Sequence, residues 1–202
     1  GKEEICHIPN TGRLKELLYP GAEVAVSYHA SSKRKTKYEL RMAKKNGSWI
    51  SIDSQLPNAL AIEAISDGII SELKGYNIIN REVIYKNSRF DLQLIGKDSC
   101  LVEIKGVTLE LDNWSYFPDA PTQRGRRHID ELMDALRSGH RAVLLFVVQI
   151  EYAEGFSPNA VMDPEFAQKV KEAAEMGVEV LAYRCSVSPK EVKITGKVPV
   201  KI

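Results

Sequence analysis

The sequence predicts a protein of the α/β (α+β) class, with a small N-terminal β-barrel at residues 1–56 and a larger domain with a mixed sheet at residues 57–202. Short segments separated by turn residues fill the first part, a pattern typical of small barrels. At Pro57 the apolar spacing changes to the period of a helix. Beyond Pro57 the segments follow the order α-β-β-β-α-β-α-β, which places helices on both faces of a mixed sheet.

The N-terminal elements are delimited by turn residues. We expect strands at 4–8, 22–28, 36–42 and 48–52, with a short helical stretch at 13–18. The dipeptide Asn46-Gly47, between the last two strands, is typical of a tight β-hairpin. Because the chain begins with glycine inside the first strand, we expect the barrel to be truncated at its N-terminal end.

The larger domain opens with a helix and a three-strand meander. Apolar residues at helical spacing predict a helix over 58–73 that ends at Gly75. The remaining elements are expected as strands at 78–85, 89–95 and 101–107, an irregular stretch at 109–122, a helix through 129–136, a strand at 142–150, a helix from 163 to 177 and a strand at 178–183. This αβββαβ order is the core of the restriction-endonuclease fold.

Charge and composition narrow the class of protein. Residues 1–60 hold ten Lys or Arg and six Asp or Glu, a net charge of +4 that leaves −3 for the remainder. A basic first part suggests a surface that faces phosphates. The three cysteines form no CxxC pair, which disfavours a disulfide framework and a zinc site. With no signal peptide and no apolar run of the ~20 residues that a membrane span needs, we expect a cytoplasmic protein without a membrane partner.

Two carboxylates and a lysine converge on neighbouring predicted strands. Side chains alternate along a strand, so Glu103 and Lys105 share one face, and Asp91 lies on the strand beside them. Two such carboxylates suit Mg²⁺, which prefers oxygen ligands and keeps several waters, and Mn²⁺ is an alternative. The sequence therefore predicts Asp91, Glu103 and Lys105 as a catalytic set for phosphodiester hydrolysis. The competing interpretation is a solvated ladder of ion pairs.

Further residues are candidates for the same site. Glu63, on the first helix of the larger domain, is predicted to complete the metal shell, and the alternative is a boundary residue that faces solvent. Arg124, Arg126 and Arg127 lie at a helix start, where they are predicted to contact DNA phosphates or, alternatively, to be solvated. Supporting roles are assigned to Arg89, Asp119 and His128.

A basic run lies between two strands of the N-terminal part. Lys33, Arg34, Lys35 and Lys37 are predicted to bind DNA, with Tyr28 and Tyr38 flanking the run as stacking platforms. The alternative is a solvated basic hairpin.

The sequence resembles the sugar fermentation stimulation protein A family of bacteria and archaea. The matching segments are 7–13 (HIPNTGR), 33–36 (KRKT), 57–58 (PN), 63–65 (EAI), 88–91 (SRFD), 102–109 (VEIKGVTL), 117–122 (FPDAPT), 124–125 (RG) with His128, and 141–143 (RAV) with Phe146. The resemblance implies an OB-like barrel, a PD-(D/E)xK nuclease-like domain, non-specific DNA binding and a role in sugar (maltose) metabolism. Asp91, Glu103 and Lys105 occupy the nuclease motif, with Phe90 where the motif name has proline.

Three functional hypotheses follow. A homodimer is also expected, because many enzymes of this fold act as dimers. The first is a Mg²⁺-dependent DNA nuclease. The second is a DNA-binding regulator that keeps the nuclease fold without cutting, and the third is RNA processing through the barrel. A small-molecule enzyme has no support, because the sequence holds neither a Gly-rich phosphate loop nor a nucleophile elbow.

Overall fold

The N-terminal part is a four-stranded sheet. The computed structural model describes residues 2–10, 12–30, 34–86 and 88–202. The strands are β1 (Cys6–His7), β2 (Val24–Tyr28), β3 (Tyr38–Lys45) and β4 (Ser48–Ser51), in the order β1-β3-β2 with β4 also paired to β3. Asn46 and Gly47 have positive φ angles of 52° and 79° and connect β3 to β4. The predicted Asn-Gly hairpin is therefore confirmed, because both central residues of this turn need positive φ.

The predicted helical stretch at 13–18 was wrong in extent. The structure has a single turn there, in which the amides of Leu17 and Leu18 both donate to the carbonyl of Leu14. Leu14 and Leu17 are almost fully buried and belong to the same apolar cluster as the core of the larger domain. The burial of these two leucines, and not a regular helix, therefore holds this segment against the larger domain.

The larger domain is built on a six-stranded mixed sheet flanked by helices. Its elements are α1 (Leu56–Ser66), β5 (Tyr76–Tyr85), β6 (Ser88–Gly96), β7 (Ser99–Val107), α2 (Gln123–Arg137), β10 (Arg141–Val148), α3 (Pro164–Met176), β12 (Glu179–Val187) and β13 (Val192–Lys197). The strands lie in the order β13-β12-β10-β7-β6-β5. Strands β7, β10 and β12 are parallel, and β5, β6 and β13 are antiparallel to their neighbours. The predicted mixed sheet is confirmed, with β13 as an additional edge strand.

Helix α1 is shorter than predicted. It ends at Ser66, and Gly68 follows with a φ of 70°, the left-handed conformation that commonly terminates helices. A short 3-10 turn at Ser71–Leu73 comes next. Ile69 continues the helical spacing of apolar residues that predicted the longer helix, yet it is 41% exposed, whereas Ile70 is buried. The predicted helix was too long because apolar residues continue at helical spacing beyond Asp67 and Gly68, where the helix ends.

A third, three-stranded sheet replaces the predicted irregular stretch. It consists of β8 (Leu109–Leu111), β9 (Trp114–Phe117) and β11 (Gly155–Pro158), in the order β11-β9-β8. Asp112 and Asn113 connect β8 to β9 with φ angles of 51° and 63°, the positive values of a type I′ hairpin. An Asp-Asn pair between two apolar segments was the local signal for this hairpin.

Two buried clusters sandwich the main sheet. One contains residues of α2 and α3, such as Leu132 and Phe166, together with Leu40 and Ile50 of the N-terminal sheet. The other contains α1 residues such as Leu60 and faces the opposite side. The N-terminal strands therefore pack into the core of the larger domain. Among the residues that the structure describes, no helix is long and apolar enough to cross a bilayer.

Replacing Gly155 by Ala is expected to lower the free energy of unfolding by about 1–3 kcal/mol through overpacking. A Cβ there would lie 2.1 Å from the ring of Trp114, which a 2.9 Å hydrogen bond from its Nε1 to Ser157 holds in place. Thermal unfolding would measure the loss. Gly196→Ala is the matched control, because a Cβ at Gly196 meets nothing within 4 Å. Equal melting temperatures for the two variants would contradict the prediction.

Candidate functional site

The candidate site lies where β6 and β7 separate. Their pairing runs from Ile95 opposite Ser99 to Leu92 opposite Val102, and Asp91 and Glu103 are the next residues along the two strands. The Asp91 carboxylate spans the opening. Its Oδ2 accepts a hydrogen bond of 2.7 Å from the backbone amide of Ile104, and its Oδ1 accepts one of 2.8 Å from Asn58 Nδ2. The ends of the two strands thus place the two carboxylates side by side.

The strand alternation fails at Phe90. Strict alternation along β6 would place Phe90 on the same face as Leu92 and Leu94, but Phe90 packs in the other cluster, with its ring 6.0 Å from that of Tyr85. On the neighbouring strand, Glu82 has a φ of 54°. This irregular backbone distorts the strand pair at the level of Asp91, so strict alternation does not continue to the strand end.

Glu103 is buried, and its two carboxylate oxygens differ in their surroundings. Oε1 accepts hydrogen bonds from Lys105 Nζ at 2.5 Å and from His128 Nδ1. Oε2 is also buried and has no hydrogen-bond partner among the residues that the structure describes. A buried carboxylate oxygen without a partner is costly, so Oε2 is chemically open to a ligand that supplies positive charge.

A relay of side chains from α2 orients Glu103. His128 is 3% exposed, and its Nε2 accepts a 3.4 Å hydrogen bond from Arg124 Nε. An accepting Nε2 leaves the proton on Nδ1, from which His128 donates to Glu103. Helix α2 begins after Thr122, whose hydroxyl caps the helix by accepting from the Gly125 amide. His128, predicted as a supporting residue, is thus in direct contact with the site.

The two carboxylates have opposite electrostatic tendencies. Burial, followed by the nearby negative charge of Glu103, raises the pKa of Asp91 above its ordinary value. Burial by itself raises the pKa of Glu103 as well, but the hydrogen bond from His128 and the charge of Lys105 hold that pKa below its ordinary value. The arrangement concentrates negative charge on Glu103 and leaves Asp91 repelled by it.

Glu63 is not at this site. It is exposed on α1 and lines a surface groove with Asp67 and Lys193. The residue of α1 that reaches Asp91 is Asn58, and five residues at 3.6 per turn place Glu63 about 140° away around the helix. The prediction of Glu63 as a metal ligand was therefore wrong in its placement. The Pro57-Asn58 pair at the helix start was the available signal.

Gly106 explains how α1 comes close to the strand. A Cβ on Gly106 would lie 2.7 Å from Cγ of Pro57, so only glycine permits this approach without a shift. The glycine that follows Lys105 therefore brings the start of α1, and with it Asn58, to Asp91.

The three arginines of α2 have different surroundings. Arg124 is exposed and contacts His128, and Arg127 is exposed. Arg126 instead donates to both oxygens of Asp163 at 2.8 and 2.9 Å. Asp163 caps α3, so Arg126 connects two helices, and its side chain remains 23% exposed. All three arginines border a surface groove with Lys169.

Arg89 and Asp119, the other predicted supporting residues, make no hydrogen bond to the carboxylate pair among the residues that the structure describes. Arg89 is exposed and forms a 2.8 Å ion pair with Glu82. Asp119 Oδ2 accepts a 2.8 Å hydrogen bond from the backbone amide of Arg13, which connects the N-terminal part to the loop before α2.

The basic run of the N-terminal part is partly exposed. Lys35 and Lys37 are exposed, and Arg34 is ion-paired with Glu39. The rings of Tyr28 and Tyr38 are 5.5 Å apart beside these lysines. Lys33 lies outside the described residues. The surface thus combines cations with an exposed aromatic ring, because Tyr28 is 60% exposed.

Comparison with known proteins gives a consistent result along the chain. Residues 1–52 match the family model described as SfsA N-terminal OB domain, and residues 55–191 match the sugar fermentation stimulation protein RE domain. A sugar fermentation stimulation protein homolog of a Thermoanaerobacter species is 46% identical over 99% of this chain and 87% of its own length. A homolog from Clostridium tetani is 47% identical over 100% of this chain and 87% of its own length.

Similarity extends to a solved structure. That of Pyrococcus furiosus SfsA in complex with Ca²⁺ is 33% identical, with a TM-score of 0.89 over 96% of this chain and 84% of that chain. The expected combination of an OB-like part with a restriction-endonuclease-like part is confirmed. On the match to both family models and the identity to these relatives, the chain belongs to the sugar fermentation stimulation protein family.

Proposed function

We propose that this protein binds DNA without sequence preference and that Asp91, Glu103 and Lys105 form a Mg²⁺-dependent site for phosphodiester hydrolysis. The observation that carries the proposal is the buried Oε2 of Glu103, which has no hydrogen-bond partner among the described residues and belongs to a carboxylate beside Asp91. A divalent cation stabilises an acidic pair held at the diverging ends of two strands, because the cation relieves the repulsion between the carboxylates.

Two carboxylates suit Mg²⁺, which keeps several water ligands, better than they suit a metal ion whose ligands are all protein side chains. Within the described part of the chain, there is no group of three or more His, Cys, Asp or Glu side chains arranged to hold a metal. Mg²⁺ commonly takes one or two carboxylates and retains waters, so Asp91 and Glu103 suffice. Mn²⁺ is an alternative ion with the same ligand preference. The presence of Ca²⁺ in the Pyrococcus furiosus relative supports a divalent ion in this family.

Each neighbouring residue then has a defined task. A bound Mg²⁺ would lower the pKa of a water and neutralise charge on the scissile phosphate. Asn58 holds Asp91 in place, and the His128 hydrogen bond fixes the carboxylate plane of Glu103. Lys105 Nζ, which donates to Glu103, carries the positive charge that would stabilise the phosphate.

Two surfaces supply the proposed DNA contacts. Arg124 and Arg127 lie at the N-terminal end of α2, next to the candidate site. Lys35 and Lys37 lie beside the Tyr28–Tyr38 pair on the N-terminal sheet. Guanidinium and ammonium groups bind the phosphate backbone, and aromatic rings stack on bases of any sequence. This combination favours binding without sequence preference.

Replacing Asp91 by Ala is expected to abolish metal-dependent cleavage while DNA binding persists. The test is to incubate supercoiled and single-stranded DNA with the parent and the variant in Mg²⁺ or Mn²⁺ and to follow the products on gels. Asp67→Ala is the matched control, because Asp67 is an exposed aspartate at the end of α1. Equal cutting by the parent and Asp91→Ala would contradict the proposed site.

A second candidate function is a regulator of sugar (maltose) metabolism that binds DNA and does not cut. The name of the family favours it, since its relatives are sugar fermentation stimulation proteins. The same cleavage experiment separates the two candidates. An intact DNA affinity with no cutting by the parent in either metal would favour the regulator.

DNA binding itself is expected to weaken steeply with salt. Phosphate contacts release counterions, so the logarithm of the affinity falls linearly with the logarithm of the salt concentration. Replacing Arg127 by Ala is expected to reduce that slope by about 1. Fluorescence anisotropy with a labelled duplex between roughly 50 and 200 mM salt measures both quantities. An affinity that did not respond to salt would contradict phosphate-dominated binding, and competition with RNA would test the RNA-processing alternative.

A further inference from the structure

A cavity of about 310 Å³ lies between the N-terminal part and the carboxyl ends of the parallel strands β7 and β10. Ligands of sheets with parallel strands commonly bind outside these strand ends. The residues around the cavity that matter most are Asn10, Gly106, Thr108, Tyr116, Asp119 and Gln149. Gly106 directly follows Lys105, so the cavity adjoins the candidate catalytic site.

Gln149 marks the cavity as a binding site. It is 1% exposed and lies beside Gly106, where a Cβ would be 3.4 Å from its Nε2. Its Oε1 is buried and has no hydrogen-bond partner among the described residues. Buried amide oxygens are almost always satisfied, so Oε1 requires a hydrogen-bond donor that the surrounding protein does not provide. A ligand with an N–H group meets that requirement.

The charge of the lining disfavours a phosphate as the occupant. Of the described residues that line the cavity, none is Lys or Arg, and Asp119 contributes a carboxylate. Anions are therefore disfavoured there. Tyr116, Pro118 and Pro121 instead provide flat surfaces of low polarity. A neutral planar ring with N–H donors at its edge matches both the walls and the unpaired Gln149 oxygen.

We infer that this cavity binds a single unstacked nucleobase that carries an amino group, such as adenine, from the DNA whose backbone lies at Asp91 and Glu103. The inference rests on the proposed function and adds a base-binding pocket to it. Enzymes that extrude a base stack it against apolar side chains and read its edge with hydrogen bonds, and an unpaired base costs least to extrude. Gln149 Oε1 would accept from the amino group, and the Thr108 hydroxyl lies in the same cavity.

The test compares two duplexes of identical length and charge. One carries a single unpaired adenine, and the other has an abasic residue at that position, so phosphate contacts are the same in both. The parent is expected to bind the adenine duplex at least about fivefold more tightly, the lower end for stacking one base on an aromatic ring. Anisotropy titrations without added metal measure both affinities and avoid cleavage.

Variants then test whether the preference for the adenine duplex arises in this cavity. Gln149→Leu removes the acceptor and Ala120→Trp fills the cavity, and both are expected to bring the affinity ratio close to one without changing the affinity for the abasic duplex. Thr108→Val is a milder change should Ala120→Trp unfold, which circular dichroism detects. Gln168→Leu is the matched control, because Gln168 is exposed on α3 and hydrogen-bonds to Glu172 at 3.0 Å.

Each outcome has a distinct meaning. Equal affinity of the parent for the two duplexes, with no binding of deoxyadenosine by calorimetry, would overturn the inference and leave the proposed DNA binding intact. Deoxyadenosine binding that Ala120→Trp abolishes, together with equal duplex affinities, would support the same base chemistry with a free nucleoside as the source. Failure of the parent to bind any duplex or the nucleoside would overturn both the proposed DNA binding and the pocket.

Discussion

Replacing Glu103 by Gln is expected to lower the affinity for Mn²⁺ and the rate of metal-dependent cleavage by more than about 100-fold, since even an outer partner of a metal ligand contributes about 10–100-fold. The change keeps the volume of the side chain and removes its negative charge. It also leaves Lys105 and His128, both of which donate to Oε1 of Glu103, without a charged acceptor. The loss of affinity therefore has two causes. The metal loses a charged ligand, and the donors Lys105 and His128 remain in a site that no longer holds an anion.

Isothermal titration of Mn²⁺ into parent and variant provides a readout that does not depend on cutting. Glu175→Gln is the control, because Glu175 is exposed on α3. His128→Ala is expected to give a smaller loss of about 10–100-fold, as Glu103 would remain but lose the hydrogen bond that orients it. Mn²⁺ binding by Glu103→Gln at the strength of the parent would place the metal elsewhere.

Replacing Phe146 by Ala is expected to lower the free energy of unfolding by about 3–5 kcal/mol. Phe146 is fully buried on β10, and its ring stacks on that of Phe156 with centroids 4.0 Å apart and approaches that of Phe117 at 5.8 Å. Truncation removes these contacts and leaves a cavity between the main sheet and the small sheet. A loss of that size is a large fraction of the stability of an ordinary domain.

Urea denaturation followed by circular dichroism measures this loss. Val161→Ala is the control, because the Val161 side chain is 98% exposed and its truncation removes no buried contact. In the sheet Phe146 lies opposite Lys105, so the same truncation is expected to reduce metal-dependent cleavage even where the protein still folds. A free energy of unfolding within about 1 kcal/mol of the parent would show that the cluster relaxes to fill the space.

Patterns that depend on neighbouring residues were predictable. The period of two along a strand placed Glu103 and Lys105 together, and the paired strand brought Asp91 beside them. The Asn46-Gly47 hairpin and the start of α3 at Asp163 follow from local preferences that only a few residue types have. In each of these cases, the physical cause acts over a few residues, so the sequence alone contains it.

Contacts between distant segments were decided by the tertiary structure. Helical spacing did not reveal that α1 would turn Asn58 toward Asp91 and Glu63 toward Lys193. His128 reaches Glu103 only because α2 packs against the strand, and the unpaired oxygen of Gln149 acquires meaning only from the cavity around it. The sequence by itself determined which residues carry the acidic pair and its lysine. The rotation of each helix about its axis and the partners of buried polar atoms depend on packing between segments far apart in the chain, and only the tertiary structure decided them.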